Sequence, residues 1–280
     1  MKRFLTSVII LLILIFIILL YSRFIGIKGL KTNEISINTN INTSYDGLKV
    51  IHFSDLHYKK VITEKRVKEL IKEINKIDAD IVIYTGDLID SDYNLNNKDI
   101  NFLISQLSNI KSKYGNYAIM GDNDYSNEEV VNNIYIQSNF TLLKNNSTII
   151  YNENNEKIYL GGIDTYTNNK ANINELTNYN DINYKIILVH EPDYIDEILK
   201  TIPDTNLILS GHSINGSINI FGIKNILLPK YAKKYYKPYY KVNNTNIYIS
   251  NGIGGDKINF RLLNKPSLNF YRFNSNQTIN

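Results

Sequence analysis

Six side chains of metal-ligand type punctuate this chain: Asp55, His57, Asp87, Asp122, His190 and His212. Each follows a short apolar run rich in β-branched residues, the pattern of a buried strand. The first run leads from Lys49 into Ser54-Asp55-Leu56-His57. In an extended segment residues i and i+2 share a face, so Asp55 and His57 are expected to project together. Later runs end in Gly86-Asp87, in Gly121-Asp122-Asn123-Asp124, at His190, and in Gly211-His212. Open α/β sheets carry their ligand sites beyond the carboxyl ends of strands. Carboxylates and imidazoles gathered there would bind divalent cations or do acid–base chemistry. A single Asp or His at a strand end is ordinarily a turn residue; the ordered series is what singles these out. Three of the four histidines belong to it. The fourth, His52, lies inside the first strand and reads as structural. There is no cysteine, which excludes thiolate ligands and disulfides.

The elements that must position these residues alternate strand and helix. Thr63 can cap a helix whose apolar positions are Val67, Leu70, Ile71, Ile74 and Ile77. Residues 81–85 form a buried strand, and a second helix is expected over 97–113. Residues 117–120 read as the next strand, and Ser126 with Glu129 as a capping box for the helix after it. Residues 141–161 read as short antiparallel strands and 184–189 as a strand, with Pro192 opening a helix. Further strands are expected at 207–209, 246–250 and 268–273. At 280 residues the chain has room for one large domain or two small ones. Its net charge of +4 is too mild to imply a nucleic-acid partner, and none is expected.

The N-terminus is of another kind. Lys2 and Arg3 precede an apolar run from Phe4 to Tyr21, broken only by Thr6 and Ser7. As a helix it spans roughly 27 Å, close to the ~30 Å of a bilayer's hydrocarbon. It ends in Tyr21-Ser22-Arg23-Phe24, without the small residues of a cleavage site. The expectation is an uncleaved signal anchor over 1–22 and a juxtamembrane segment with the first strand over 23–45. A globular domain over 46–275 follows, placed outside a single-pass cell membrane. Lys2 and Arg3 face Arg23, Lys28 and Lys31 across the run, so positive charge gives little orientation.

The series Ser54-Asp55-Leu56-His57, Gly86-Asp87, Gly121-Asp122-Asn123-Asp124, His190 and Gly211-His212-Ser213-Ile214 resembles the five motifs of calcineurin-like metallophosphoesterases. Those motifs read Asp-x-His, Gly-Asp, Gly-Asn-His-Asp/Glu, a lone His and Gly-His-x-His. The likeness runs from Leu48 to Phe273. The tail Tyr248–Gly254 resembles the closing segment of the family's membrane-anchored bacterial branch. The resemblance implies an α/β fold, a four-layer α/β/β/α sandwich, with two divalent metal ions (Mn, Fe or Zn) in one site. It places Asp55 and His57 on the first ion, Asp122, His190 and His212 on the second, and Asp87 between them. Such a pair of cations neutralises a phosphate and lowers the pKa of a water between them.

Three positions depart from the family pattern. Asp122 stands for Asn, adding negative charge that lowers Lewis acidity and repels an anion. Asn123 stands for the His that serves the leaving group, and an amide cannot act as an acid. Ile214 stands for the last His of Gly-His-x-His, a ligand of the first ion. The expected function is hydrolysis of a phosphodiester or pyrophosphate, with Asn123 at the catalytic position and leaving groups that need no proton preferred. The stretch Leu228–Lys241, rich in Lys and Tyr, would meet an anionic substrate or lipid headgroups. Together with the anchor it points to a small-molecule or lipid-linked phosphate as partner. The alternative is a non-catalytic descendant that binds a phosphate-bearing ligand or a partner at the membrane surface.

Overall fold

Two six-stranded mixed sheets lie face to face in a computed structural model that describes residues 1–176, 180–214, 228–255 and 261–276. The strands of the first sheet are β1 (Lys31–Thr39), β2 (Lys49–Phe53), β3 (Ile81–Tyr84), β4 (Asn116–Ala118), β5 (Phe140–Leu142) and β12 (Ser267–Ser275), in the order β1-β12-β2-β3-β4-β5. The second holds β6 (Asn146–Tyr151), β7 (Lys157–Gly162), β8 (Lys185–Val189), β9 (Leu207–Ser210), β10 (Tyr239–Val242) and β11 (Thr245–Ile249), in the order β10-β11-β9-β8-β7-β6. Strands β2 to β5 are parallel, and so are β7, β8, β9 and β11. Their carboxyl ends gather at one rim of each sheet.

Side-chain alternation builds the layers. On β2, Val50 faces the second sheet in a core with Ile83, Leu160, Ile186 and Leu209. Its neighbours Ile51 and Phe53 face α2 (Glu64–Ile77), α3 (Asn97–Leu107) and α4 (Glu128–Gln137). The outer face of the second sheet, with Tyr159, Ile187, Val189 and Ile208, packs on α5 (Ile195–Thr201). Three cores separate four layers, so the α/β/β/α sandwich expected from the motifs is the architecture found. Near-continuous apolar strands such as Ile81–Tyr84 are what burial on both faces requires.

Several local expectations are corrected. The helix expected to reach residue 113 stops at Leu107. Ser108 Oγ and Asn109 Nδ2 both bond back to the Ser105 carbonyl, which competes with further helix. The capping box at Ser126 and Glu129 does not form. Residues Asn123–Asn127 make a 3₁₀ turn, α4 begins at Glu128, and no side chain caps it. Thr63 does precede α2, but its hydroxyl makes no cap bond. Within 141–161 only β6 and β7 are antiparallel; β5 runs parallel to β4. Strand β4 ends at Ala118, not residue 120, although Ile119 N–H still donates to the Tyr84 carbonyl of β3.

N-terminal to the sandwich runs α1 (Lys2–Phe24), a 23-residue helix long and apolar enough to cross a membrane. Only its Ser22 is buried; Ile9 to Leu20 stand exposed along its length.

Candidate metal centre

The six ligand-type side chains leave their strands on short loops. Asp55 and His57 follow β2, Asp87 follows β3, Asp122 follows β4, His190 follows β8 and His212 follows β9. The expectation that Asp55 and His57 converge by strand alternation is wrong in its cause. Strand β2 ends at Phe53, and both residues have left-handed backbones, φ 54° and 47°. Asp87 and His212 share that conformation, at 61° and 63°. Each such residue stores strain of order 1–3 kcal/mol, which persists only where surrounding contacts dictate it.

Those contacts are on hand. Asp55 N–H donates to the Gly86 carbonyl (2.9 Å) and Leu56 N–H to that of Asp87 (2.8 Å). The buried Asp124 carboxylate accepts from the N–H groups of Asp87, Leu88 and Gly121 at 2.8–2.9 Å. It thereby fastens the loop after β3 to the loop after β4. Gly86 and Gly121 are in direct backbone contact there: a Cβ on Gly86 would lie 2.5 Å from the Gly121 nitrogen.

The side chains form two adjoining sets, Asp55-His57-Asp87 and Asp87-Asp122-His190-His212, with ligand atoms within 4.8 Å of one another in each. His57 Nε2 lies 3.6 Å from Asp87 Oδ2, and His190 Nε2 lies 3.4 Å from the same oxygen. Asp122 Oδ1 is 3.2 Å from His190 Nε2 and 3.1 Å from His212 Nδ1. Ligands held ~2.0–2.2 Å from one ion stand roughly 3–4 Å apart, so the spacing suits first-row divalent cations. His190 Nε2 and Asp122 Oδ1 are buried without a hydrogen-bond partner among the described residues. Two orphaned ligand atoms aimed at one point fit a cation between them. The geometry thus brings all six predicted side chains together and makes Asp87 common to both sets.

Two of the three imidazoles are hydrogen-bonded from behind, as metal-ligating histidines usually are, and the third faces a carboxylate there. His190 Nδ1 is 2.6 Å from the Thr85 carbonyl, and His212 Nε2 is 2.7 Å from the Lys230 carbonyl. His57 Nδ1 faces Asp90 Oδ1 at 3.3 Å. None of these three partners was anticipated from the sequence. Asp90 left one readable sign, an acid three residues past Asp87; backbone carbonyls leave none. Replacing Asp90 with Asn should lower metal affinity about 10–100-fold while the fold survives, as a metal titration monitored by fluorescence or calorimetry would report.

Protonation follows from this crowding. Burial opposes charge on His57, but Asp90 and Asp87 carry it up to about 9. Burial likewise opposes charge on His212, and Asp122 carries it up to about 9. Burial would raise Asp122, yet His190 and His212 hold its carboxyl well below the usual carboxylate range. Without metal, protons on the imidazoles therefore balance the carboxylates. Raised His values mean that this stabilisation is complete below the unfolded value near 6.5 and is lost as pH climbs through about 9. Metal requires neutral rings. Between pH 6.5 and 9 the melting temperature of metal-free protein should fall, while the increment given by added Mn²⁺ grows; thermal scans across that range check both signs.

A cavity of about 310 Å³ opens over the cluster, lined by ligands and by Ser91, Asn123, Thr167, Ile214 and Lys230. A larger, shallower hollow of about 760 Å³ lies along α2, but no metal-ligand set lies in it among the described residues. Asn123 turns onto a ligand: its Nδ2 donates to Asp87 Oδ2 (2.8 Å) and its N–H to Asp87 Oδ1 (3.0 Å). Ile214 supplies an apolar wall where the family motif has an imidazole. Of the Lys- and Tyr-rich stretch, Lys230 lines the cavity, while Lys233, Lys234 and Tyr235 give their backbone N–H groups to Asp193. Residues 233–235 are thus held by α5 and the turn before it, and Tyr239–Lys241 pair with β11 rather than facing the cavity. His52 is structural as expected, fully buried between Thr85 Oγ1 (2.9 Å) and the Tyr271 hydroxyl (3.3 Å), and burial lowers it to about 3.

A family model described as calcineurin-like phosphoesterase matches residues 48–216. A Bacillus subtilis protein named uncharacterized metallophosphoesterase YkuE is 28% identical over 260 residues, which cover 91% of this chain and 89% of that one. A Bos taurus protein named transmembrane protein with metallophosphoesterase domain is 26% identical over 249 residues, 84% of this chain and 54% of that one. Among solved structures, TT1561 of Thermus thermophilus aligns at 9% identity with a TM-score of 0.46, over 74% of this chain and 90% of that one. The matched stretch takes in more than half of the chain and all six side chains of the cluster, and the chain belongs to the calcineurin-like phosphoesterase family.

Proposed function

We propose that this protein is a membrane-anchored, metal-dependent hydrolase of phosphodiesters or pyrophosphates. The observation that carries the reading is Asp87, shared by two adjoining ligand sets drawn from five strand ends. In the proposed site Asp55, His57 and Asp87 hold one divalent ion, and Asp87, Asp122, His190 and His212 hold the other. Bound there, two ions of Mn, Fe or Zn type would neutralise phosphate charge and supply an activated water. The protein's own groups do the rest. Carbonyls behind His190 and His212 fix their tautomers, and the Asp90 carboxylate facing His57 Nδ1 at 3.3 Å adds negative charge behind that ring. Lys230 adds a cation at the cavity wall. Asn123 steadies Asp87 but has no proton to release, which favours leaving groups that depart as weak bases, such as phosphate or a phenolate.

Residues 4–21 serve in this reading as a single membrane span, with the sandwich on the extracytoplasmic side. Support comes from the exposed apolar length of α1 and from a relative whose name describes a transmembrane protein. A lipid-linked phosphate is the substrate this placement favours. Asn123 and Ile214 favour a second reading, a non-catalytic descendant that binds a phosphate-bearing ligand. Metal analysis of the detergent-purified protein, with assays in Mn²⁺ against phosphodiesters and pyrophosphates, separates the two. Two ions per chain and turnover support the hydrolase; no bound metal and no turnover support the binder.

A further inference from the structure

Past residue 25, the most exposed large apolar side chain among the described residues is Leu263, 77% exposed. Its backbone is left-handed, φ 57°, a conformation a branched apolar residue rarely adopts. Its described neighbours Arg261 and Asn264 are held in place. The buried Arg261 guanidinium donates to the carbonyls of Asn251, Gly252, Gly254 and Asn264. Asn264 Nδ2 donates to the Ile214 carbonyl at 2.7 Å. A lone exposed leucine is ordinary on a protein surface; what sets this one apart is its left-handed backbone and its place beside the end of α1.

The end of α1 lies against the same loop. Arg261 N–H donates to the Ser22 carbonyl in the last turn of α1 (3.1 Å). Gly26 sits flush on Arg261, where an added Cβ would lie 1.8 Å from its carbonyl oxygen. If residues 4–21 fill the hydrocarbon, Ser22 stands at headgroup level and Arg261 with it. Leu263 is two residues further, at most about 7 Å away. Interfacial elements sink apolar groups ~5–10 Å into the headgroup–acyl boundary, so Leu263 is within reach of it. Lys265, exposed two residues on, suits lipid phosphates.

We propose that Leu263 is a second bilayer contact, inserted beside the end of α1, which holds the metal-centre cavity against the lipid surface. The proposal rests on α1 being a membrane span. The consequence for the site is direct: Leu263, Asn264 and Ile214 form a short path from the lipid to the cavity wall next to His212. A substrate whose acyl chain stays in the bilayer would present its phosphate at that height.

The absence of native cysteine makes the test clean. Full-length Leu263→Cys, Leu12→Cys and Ile136→Cys proteins would each carry one polarity-sensitive fluorophore, in phosphatidylcholine–phosphatidylglycerol vesicles containing nitroxide-labelled acyl chains. Ile136 is 69% exposed and lies on α4, away from the α1 contact. The expected result is quenching at 263 several-fold above that at 136, with strong quenching at 12. Quenching at 12 but not at 263 overturns the proposal, and absence of quenching at 12 overturns it together with the anchor. These readouts need no turnover, so they stand apart from the hydrolase reading. A Leu263→Ser variant should lose several-fold activity on a vesicle-embedded phosphodiester and none on soluble bis(p-nitrophenyl) phosphate; equal loss on both would also count against the proposal.

Discussion

If the chain binds two ions and hydrolyses phosphodiesters as proposed, replacing Asp87 with Asn should abolish binding of both and cut that hydrolysis by about 10³-fold or more, since it removes the source of activated water. Asp87 is the one carboxylate common to both ligand sets. Its Oδ2 is approached by His57 Nε2 and His190 Nε2 from opposite sets. Asparagine has the same shape, and the loop is fastened through backbone N–H groups to Asp124, so the fold should persist. What changes is charge. An amide is a poor bridge between cations, and its nitrogen would point a donor at ions or at Asn123. Metal analysis should find fewer than one ion per chain, and kcat/KM should fall far more than the modest loss of Tm that removing a charge partner of His57 brings to the metal-free protein. A variant that retains two ions and normal turnover would place the chemistry elsewhere.

The loss at Asp87 depends on loops whose residues were legible in the sequence but whose shapes were not. β-Branched runs ending in Asp or His marked five strand ends, because burial on both faces demands apolar strands and polar residues tolerate a turn. The convergence of Asp55 and His57 was expected from strand alternation, yet it arises from left-handed backbone after β2. No periodicity announces such a conformation; it is imposed by bonds to Gly86 and Asp87 from another part of the chain. Ser126 and Glu129 carried a sound local signal for a helix cap. Instead Asp124 commits its carboxylate to the loops after β3 and β4, and the chain beside it turns as a 3₁₀ segment. Asp90 is not legible from the sequence because its meaning lies in facing His57 across space. The insertion of β12 between β1 and β2 had no sequence signature either, since any apolar strand of that length satisfies the same face.

Asn123→His should raise hydrolysis of alkyl phosphodiesters by about 10²–10⁴-fold, the usual contribution of a positioned general acid, and leave aryl phosphodiesters and pyrophosphates nearly unchanged. An alkoxide leaves only with a proton, whereas phenolate and phosphate leave without one. The present Asn123 amide donates to Asp87 Oδ2 and lines the cavity, so the position already faces the space above the cluster. Its backbone N–H is bonded to Asp87 Oδ1, which anchors the position whatever side chain it carries. The gain must also have the right pH sign: an acid works while protonated, so the advantage on alkyl esters should fade as pH rises through the new imidazole's pKa. Steady-state rates on a matched alkyl and p-nitrophenyl pair across pH would test this. An equal gain on both substrates would mean that the imidazole acts by holding the cluster, not by giving a proton. No gain on either would leave the apolar wall at Ile214, and the ligand missing there, as the feature that limits this site.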